Sequence, residues 1–266
     1  MILPTNPTLG DYCKWFEVNC SPEVMMPLLP VIIRLDGANF HTWTKGLERP
    51  FDHKLIGVMQ ETTKQLVAHT NALIGYTQSD EITLVLYSTD LNSTIYHDGK
   101  KSKILSKLAS YCSVIFNDIT KSYLPEHNKI ATFDARIFQV PNLEWAYKQL
   151  LWREKDAVKN SISMLAQHHF HHNTLQGLNR NQLQEKLFTE KGVNWNSLPN
   201  CCKRGTYFKR KTITQSFVSM TPDEISLLPP MHNARNNPEL EFERNVIEEL
   251  DIPILSKITD WETLLF

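Results

Sequence analysis

No stretch of the 266-residue chain approaches the roughly 18 consecutive apolar residues that a membrane-spanning helix needs. Met1 to Asp11 lacks the basic segment followed by an apolar core that marks a secretory leader. Cysteine is scarce, with five residues at irregular spacing, an odd number that does not make the paired framework of an oxidised extracellular domain. These absences lead to the expectation of a soluble cytoplasmic protein with reduced thiols. Cys201 and Cys202 are adjacent, but without a second Cys-x-x-Cys nearby the pattern does not favour a metal site.

An excess of positive charge is also missing. The 28 Lys and Arg residues balance 29 Asp and Glu for a net charge of −1, whereas nucleic-acid-binding proteins usually carry surplus cations to meet phosphates. Placement alters that inference. The segment KRGTYFKRK, 203–211, holds five basic residues; Lys100, Lys101, Lys103 and Lys107 form a second cluster; and the chain from Asp223 onward is mostly acidic. Local basic patches therefore remain available to an anionic partner.

What is present is enough apolar material for a core, 41% of residues, with no internal repeat and no low-complexity linker. The run VIIRLD before Gly37 reads as a buried strand. Asp52 is placed to cap a helix running to about Asn71, with Leu55, Val58, Met59, Leu66 and Val67 on one face. Two β-prone runs, 72–76 and 82–87, flank the polar tip 77–81 and predict a hairpin. Helical spacing follows over 102–116, then a strand from Phe133 to Val140, then a long helical stretch from about Leu143 to His172. The order βαββαβ predicts an α+β, ferredoxin-like domain. Residues 1–142 would form a palm-like catalytic region, and 143–266 a helical and mixed extension serving RNA binding and assembly.

In a split βαβ sheet the third strand lies antiparallel between the first and second. Asp36, at the end of strand one, and Asp80 and Glu81, at the hairpin tip, then share one sheet edge. Two aspartates beside a Gly backbone carbonyl offer the hard oxygen ligands that a pair of Mg²⁺ ions takes. A turn residue and a hairpin tip would account for either aspartate alone; polymerase palms and nucleotidyl cyclases share the topology, which is an analogy of fold.

The segments RLDGANFH (34–41), Arg49-Pro50 with Asp52, YTQSDE (76–81), FDAR (133–136) and Trp152-Arg153 with Asp156 resemble the tRNA-His guanylyltransferase family, the reverse (3′-to-5′) polymerases. The likeness runs in register from about residue 30 to 160 and continues more weakly through KRGT (203–206) and RNVIEELDIP (244–253). It implies that Asp36, the Gly37 carbonyl and Asp80 hold two Mg²⁺ ions, with Glu81 a neighbour. It implies a nucleotide triphosphate met by Ala38, Asn39, Phe40 and His41. Arg34, Lys100, Lys101 and Arg136 are cations for the phosphates, and Ser79 is placed to bond the nucleotide or close the turn. Arg49 and Asp52 match a pair that contributes to activation of the tRNA 5′ end, although Asp52 also reads as a helix cap.

The implied partners are tRNA, ATP and GTP, in a homotetramer. ATP would adenylylate a 5′-monophosphate, and the 3′-hydroxyl of an incoming nucleotide would then displace AMP. On the long helix, Arg153, Lys159 and Asn160 are candidates for RNA contact. There the family members dedicated to tRNA-His carry His-Ile-Asn-Asn, whereas this chain reads VKNS (158–161) and continues like the bacterial and archaeal branch, which favours templated repair of 5′-truncated tRNA. Lys203, Arg204, Lys209, Arg210 and Lys211, interleaved with Tyr207 and Phe208, suit phosphates and unpaired bases. His168, His169, His171 and His172 read as a polar or RNA-facing surface, since four residues so crowded cannot all face one ion. Single guanylate addition to tRNA-His, a nucleotidyl cyclase, and a catalytically silent tRNA-binding protein remain as alternatives.

Overall fold

The computed structural model describes residues 3–235, 237 and 239–265. Its elements, in chain order, are α1 (Leu9–Asn19), β1 (Val31–Gly37), the single turn α2 (Phe40–Trp43), α3 (His53–Thr70), β2 (Ile74–Gln78), β3 (Glu81–Leu86), α4 (Lys101–Tyr123), β4 (Phe133–Gln139), α5 (Leu143–His169), α6 (Arg180–Lys191), α7 (Asn200–Lys203), β5 (Thr206–Ser216), α8 (Pro222–Leu227), β6 (Glu241–Leu250) and α9 (Trp261–Leu265).

The strands form one sheet in the order β4-β1-β3-β2-β5-β6, with every pairing antiparallel. The expected βαββαβ order and the central place of β3 are both present. Strand β3 is buried along its whole length because helices cover both faces of the sheet. On one face α3 and α4 seal Ile33, Leu35, Ile82 and Leu84 together with Leu66, Leu108 and Phe116. On the other, α1 and α5 contribute Phe16, Ala146 and Leu150 to a core with Ile32, Ile74, Val85 and Phe138. Each of these fully buried aliphatics contributes about 1.5–3 kcal/mol, which is why the strands are apolar runs rather than alternating ones.

Helix boundaries follow their caps. Asp52 Oδ1 accepts from the Lys54 and Leu55 amides, both at 2.9 Å, and starts α3 where the sequence predicts. Helix α4 runs a turn and more past Phe116, and α5 stops at His169 rather than His172. Helix α1 is an addition to the elements expected from periodicity, and its signal is the Thr8/Asp11 capping box.

After α5 the chain returns to the same sheet, since β5 adds to β2 and β6 to β5. Buried Glu154 of α5 is central to that return: it accepts from the Leu255 amide at 2.9 Å and from the Tyr207 hydroxyl at 3.1 Å. Arg204, expected at an RNA surface, is instead 8% exposed, lies 3.7 Å from Glu154 and donates to the Ile252 carbonyl at 3.0 Å. Tyr207 and Phe208 likewise are core residues and not a stacking platform. As consecutive strand residues they point to opposite faces of the sheet, and both faces are covered, Phe208 by the core under α3 and α4 and Tyr207 by the core under α1 and α5.

Candidate active site

The end of β1 lies beside the start of β3. Asp36 stands opposite Glu81 on β3 and opposite Asp134 on β4. Only Ser79 and Asp80 connect β2 to β3, with Ser79 at φ 52, and the Gly37 amide donates to the Asp80 carbonyl at 3.0 Å. This bond folds the hairpin tip onto the end of β1 and brings Asp80 to Asp36. Phe40 supports the same corner: its side chain is buried, and a Cβ on Gly37 would clash with one edge of its ring. Gly37→Ala is expected to cost about 1–3 kcal/mol by overpacking, read as a lower denaturant midpoint, with Phe40→Leu on the same background recovering part of it.

Asp36 and Asp80 make no salt bridge among the described residues. Burial holds the Asp80 carboxyl above its ordinary range, the hydrogen bond from Ser79 at 3.0 Å opposes this, and the neighbouring Asp36 charge raises it further. Two partly buried carboxylates that repel one another with no cation between them are a hard oxygen donor set of the kind Mg²⁺ takes. Glu81 is different. Both of its oxygens accept from Arg153 of α5, at 2.6 Å each, and Arg34 Nε approaches at 3.8 Å. Its carboxylate is therefore engaged by Arg153, which also faces Asp156 at 3.3 Å, and both Glu81 and Arg153 border the cleft at this sheet edge.

A cleft of about 540 Å³ opens between this sheet edge and the wall formed by α5 and α7. Asp36, Ser79 and Asp80 line one side; Asn160, Gln167 and Lys203 line the other. A recess of about 320 Å³ shares Asp52, Ser79 and Asp80 with it and adds His41 and Arg49. Residues from three sequence-distant motifs thus meet around one opening. Asp52 lines the opening while its two oxygens cap α3 and accept the Glu48 amide at 3.0 Å. In the 38–41 loop the Ala38 amide is committed to the Thr132 carbonyl at 2.8 Å. Asn39, at φ 55, then turns the chain into α2, where the Thr42 amide donates to the Asn39 carbonyl at 2.9 Å.

Several expected cations lie elsewhere. Arg34 and Arg136 are register partners on β1 and β4, and both converge on Glu17 of α1, at 2.7 and 3.4 Å. Lys100 and Lys101 open α4 beside Asp98 and Glu23, near the end of the sheet remote from Asp36. The five steps of β3 that separate the two ends span about 17 Å, so within one chain these lysines are not gathered with Asp36 and Asp80. Lys209 and Lys211 lie on the β5–β6 ribbon, where Lys211 pairs with Glu248 at 3.3 Å, while Arg210 reaches the loop cavity at the remote end. Lys159 and Asn160 are exposed on α5. His168 borders a shallow recess with Arg49, and no three of the clustered histidines bring their ring nitrogens together.

One grouping has no counterpart in the sequence motifs: His53 of α3 stands beside Cys201 and Cys202 of α7. The hydrogen bond with Cys202 lowers the Cys201 thiol to about 6, against the raising effect of burial. Burial raises the core thiols Cys13 and Cys112.

The model of the Thg1 family, described as tRNAHis guanylyltransferase, matches residues 10–141. A solved bacterial tRNA(His) guanylyltransferase (Thg1)-like protein in complex with ATP superposes with a TM-score of 0.73 at 32% identity, over 97% of this chain and 100% of that one. Another, in complex with GTP, gives 0.68 at 30% identity over 96% of each chain. The tRNA(His) guanylyltransferase of Saccharomyces cerevisiae is 26% identical over 220 residues, 75% of this chain and 89% of that protein. Likeness of sequence and of backbone therefore extends from the paired aspartates through the C-terminal strands, and on that evidence the chain belongs to the tRNA-His guanylyltransferase (Thg1) family and is a nucleotidyltransferase.

Proposed function

We propose that this protein adds nucleotides in the 3′-to-5′ direction to the 5′ end of tRNA, by template-directed repair of truncated 5′ ends. The carrying observation is the unpaired Asp36–Asp80 couple at the mouth of the cleft, with VKNS in place of His-Ile-Asn-Asn on α5, where Asn160 and Ser161 line the opposite wall. The two bacterial Thg1-like proteins solved with ATP and with GTP support the choice of ATP for activation and of GTP as an incoming nucleotide. We extend the reading to action in the cytoplasm as a homotetramer, in line with the resemblance.

Asp36, the Gly37 carbonyl and Asp80 would hold two Mg²⁺ ions, which when bound polarise phosphoryl oxygens and neutralise developing charge. The chain's own residues supply positioning. In line with the resemblance, the turn at Ser79 and the 38–41 loop with His41 would meet the triphosphate, while Arg49 and Asp52, which share a recess with His41, would serve activation of the 5′ end. In the first step an oxygen of the RNA 5′-monophosphate attacks the α-phosphorus of ATP and pyrophosphate leaves; in the second the 3′-hydroxyl of the incoming nucleotide attacks the adenylylated 5′ phosphorus, its proton passes to solvent, the new phosphodiester forms and AMP leaves. No side chain need form a covalent bond, since orientation and electrostatics suffice for nucleotidyl transfer.

The test supplies Mg²⁺, ATP and labelled GTP with either full-length 5′-monophosphorylated tRNA-His or a tRNA that lacks a G at its first position, and maps the label. Incorporation opposite the templating base of the truncated tRNA, in preference to full-length tRNA-His, is expected. Label confined to the position before the first base of tRNA-His would replace this reading with single guanylate addition. Label in neither would overturn transfer to tRNA.

A further inference from the structure

We propose that His53, Cys201 and Cys202 form a binding site for Zn²⁺, distinct from the carboxylate pair and set in the wall of the same cleft. Among the described residues this is the one group of three His, Cys, Asp or Glu whose ligand atoms all lie within 4.8 Å of one another. The donors come from places far apart in sequence. His53 is the first residue of α3, immediately after the Asp52 cap, and the two cysteines sit in the single turn of α7 just before β5.

The chemistry selects the metal class. Two thiolates and an imidazole are soft and borderline donors that suit Zn²⁺ and are poor ligands for Mg²⁺, which prefers oxygen. Around a tetrahedral ion with bonds of about 2.0–2.3 Å, neighbouring donor atoms stand roughly 3.5–4 Å apart, so atoms within 4.8 Å of one another need to close by at most about 1.3 Å. His53 is exposed and free to make that adjustment, whereas Cys202 is fixed in the packed wall. Binding forms two S–Zn bonds, any thiol proton still present passes to solvent, and two thiolates with one Zn²⁺ leave a site neutral in net charge. Cys201 and Cys202 both line the cleft beside Asp52 and Lys203, so the fourth position of the tetrahedron opens toward solvent or substrate.

The consequence is a cross-link. It joins the start of α3, which carries Asp52, to the turn that leads into β5 through Lys203 and Gly205. No part of this depends on the reaction assigned to the carboxylate site.

The experiment uses the full chain, purified under reductant and dialysed, with metal content measured by mass spectrometry and Co²⁺ used as a spectroscopic substitute. About one equivalent of Zn²⁺ is expected to survive dialysis. Co²⁺ should give thiolate charge-transfer bands and the intense visible bands of a tetrahedral site, displaced by Zn²⁺ and not by excess Mg²⁺. Cys201→Ser should lose the charge-transfer intensity, and His53→Ala, at an exposed position that leaves the fold intact, should weaken Zn²⁺ binding at least tenfold. Asp80→Asn should keep the bound equivalent, which separates this site from the Mg²⁺ site. Absence of bound Zn²⁺, Co²⁺ spectra unchanged in Cys201→Ser and His53→Ala, or a Cys201–Cys202 disulfide persisting under reductant would each overturn the proposal.

Discussion

Asp80→Asn is expected to reduce single-turnover nucleotide transfer by about 10³-fold or more, which corresponds to roughly 4 kcal/mol of lost transition-state stabilisation. The substitution keeps the size of the side chain and its acceptor for Ser79, so the β2–β3 turn should survive. It removes one of the two carboxylate charges proposed to hold a divalent cation. Stability should move the opposite way. Burial and Asp36 hold the Asp80 carboxyl above its usual range, so in the absence of divalent ions the folded state binds its proton more tightly than the unfolded chain does. The stability that this contributes is present below the unfolded value and is lost as pH rises through the raised folded value. Thermal melts of metal-free protein should therefore fall with rising pH above the ordinary carboxylate range, and fall less in Asp80→Asn. Added Mg²⁺ should raise the melting temperature of the wild-type chain near neutral pH, by mass action on the folded state, and leave Asp80→Asn nearly unmoved. An Asn variant that transfers nucleotide within tenfold of wild type would remove Asp80 from the reaction.

Arg153→Met should destabilise the fold by about 3–5 kcal/mol, the range for stranding one member of a buried ion pair. Glu81 is 7% exposed and its two oxygens accept from Arg153, leaving only the more distant Arg34 guanidinium as a second cation. Without Arg153 that carboxylate would have to protonate or reorganise, and it stands next to Asp80 in the chain. Transfer activity should fall along with stability. Glu81→Gln should cost less, because Arg153 retains Asp156 at 3.3 Å. The double variant Glu81→Gln/Arg153→Met should recover much of the loss, since no buried charge is then left unpaired. Denaturant midpoints for the four proteins measure the coupling directly, and simple additivity of the two single effects would show that the pair is not acting as a unit.

Much of the palm is legible in the amino-acid sequence because its signals are local. Apolar runs of strand length, helical spacing over α3 and α4, the Asp52 cap and the short polar tip at Ser79 and Asp80 each depend on neighbours a few residues away. The βαββαβ order then constrains the sheet so strongly that the meeting of Asp36 with Asp80 follows from topology. The elements beyond periodicity had weaker local signals. Helix α1 is announced only by its Thr8 capping box, and β5 and β6 gain their place by pairing with β2 and with each other, which no local pattern specifies.

The side-chain partnerships are of another kind. A basic residue in sequence is only a positive charge, and its role depends on which carboxylate lies within reach after folding. Arg153 and Arg204 carry the same charge as Lys159 and Lys211, yet the first two are turned into the protein by Glu81 and Glu154 while the others face solvent. Lys100 and Lys101 read as phosphate partners, and nothing in their segment shows that within one chain they stand at the end of the sheet remote from Asp36. The sequence by itself determined the class of fold and the acidic edge, because those follow from short-range periodicity and from a topology with few alternatives. The tertiary structure alone decided which charges are free, which are neutralised, and that His53 stands beside Cys201 and Cys202. Contacts between residues so distant along the chain are set by packing, and packing leaves no periodic trace in sequence.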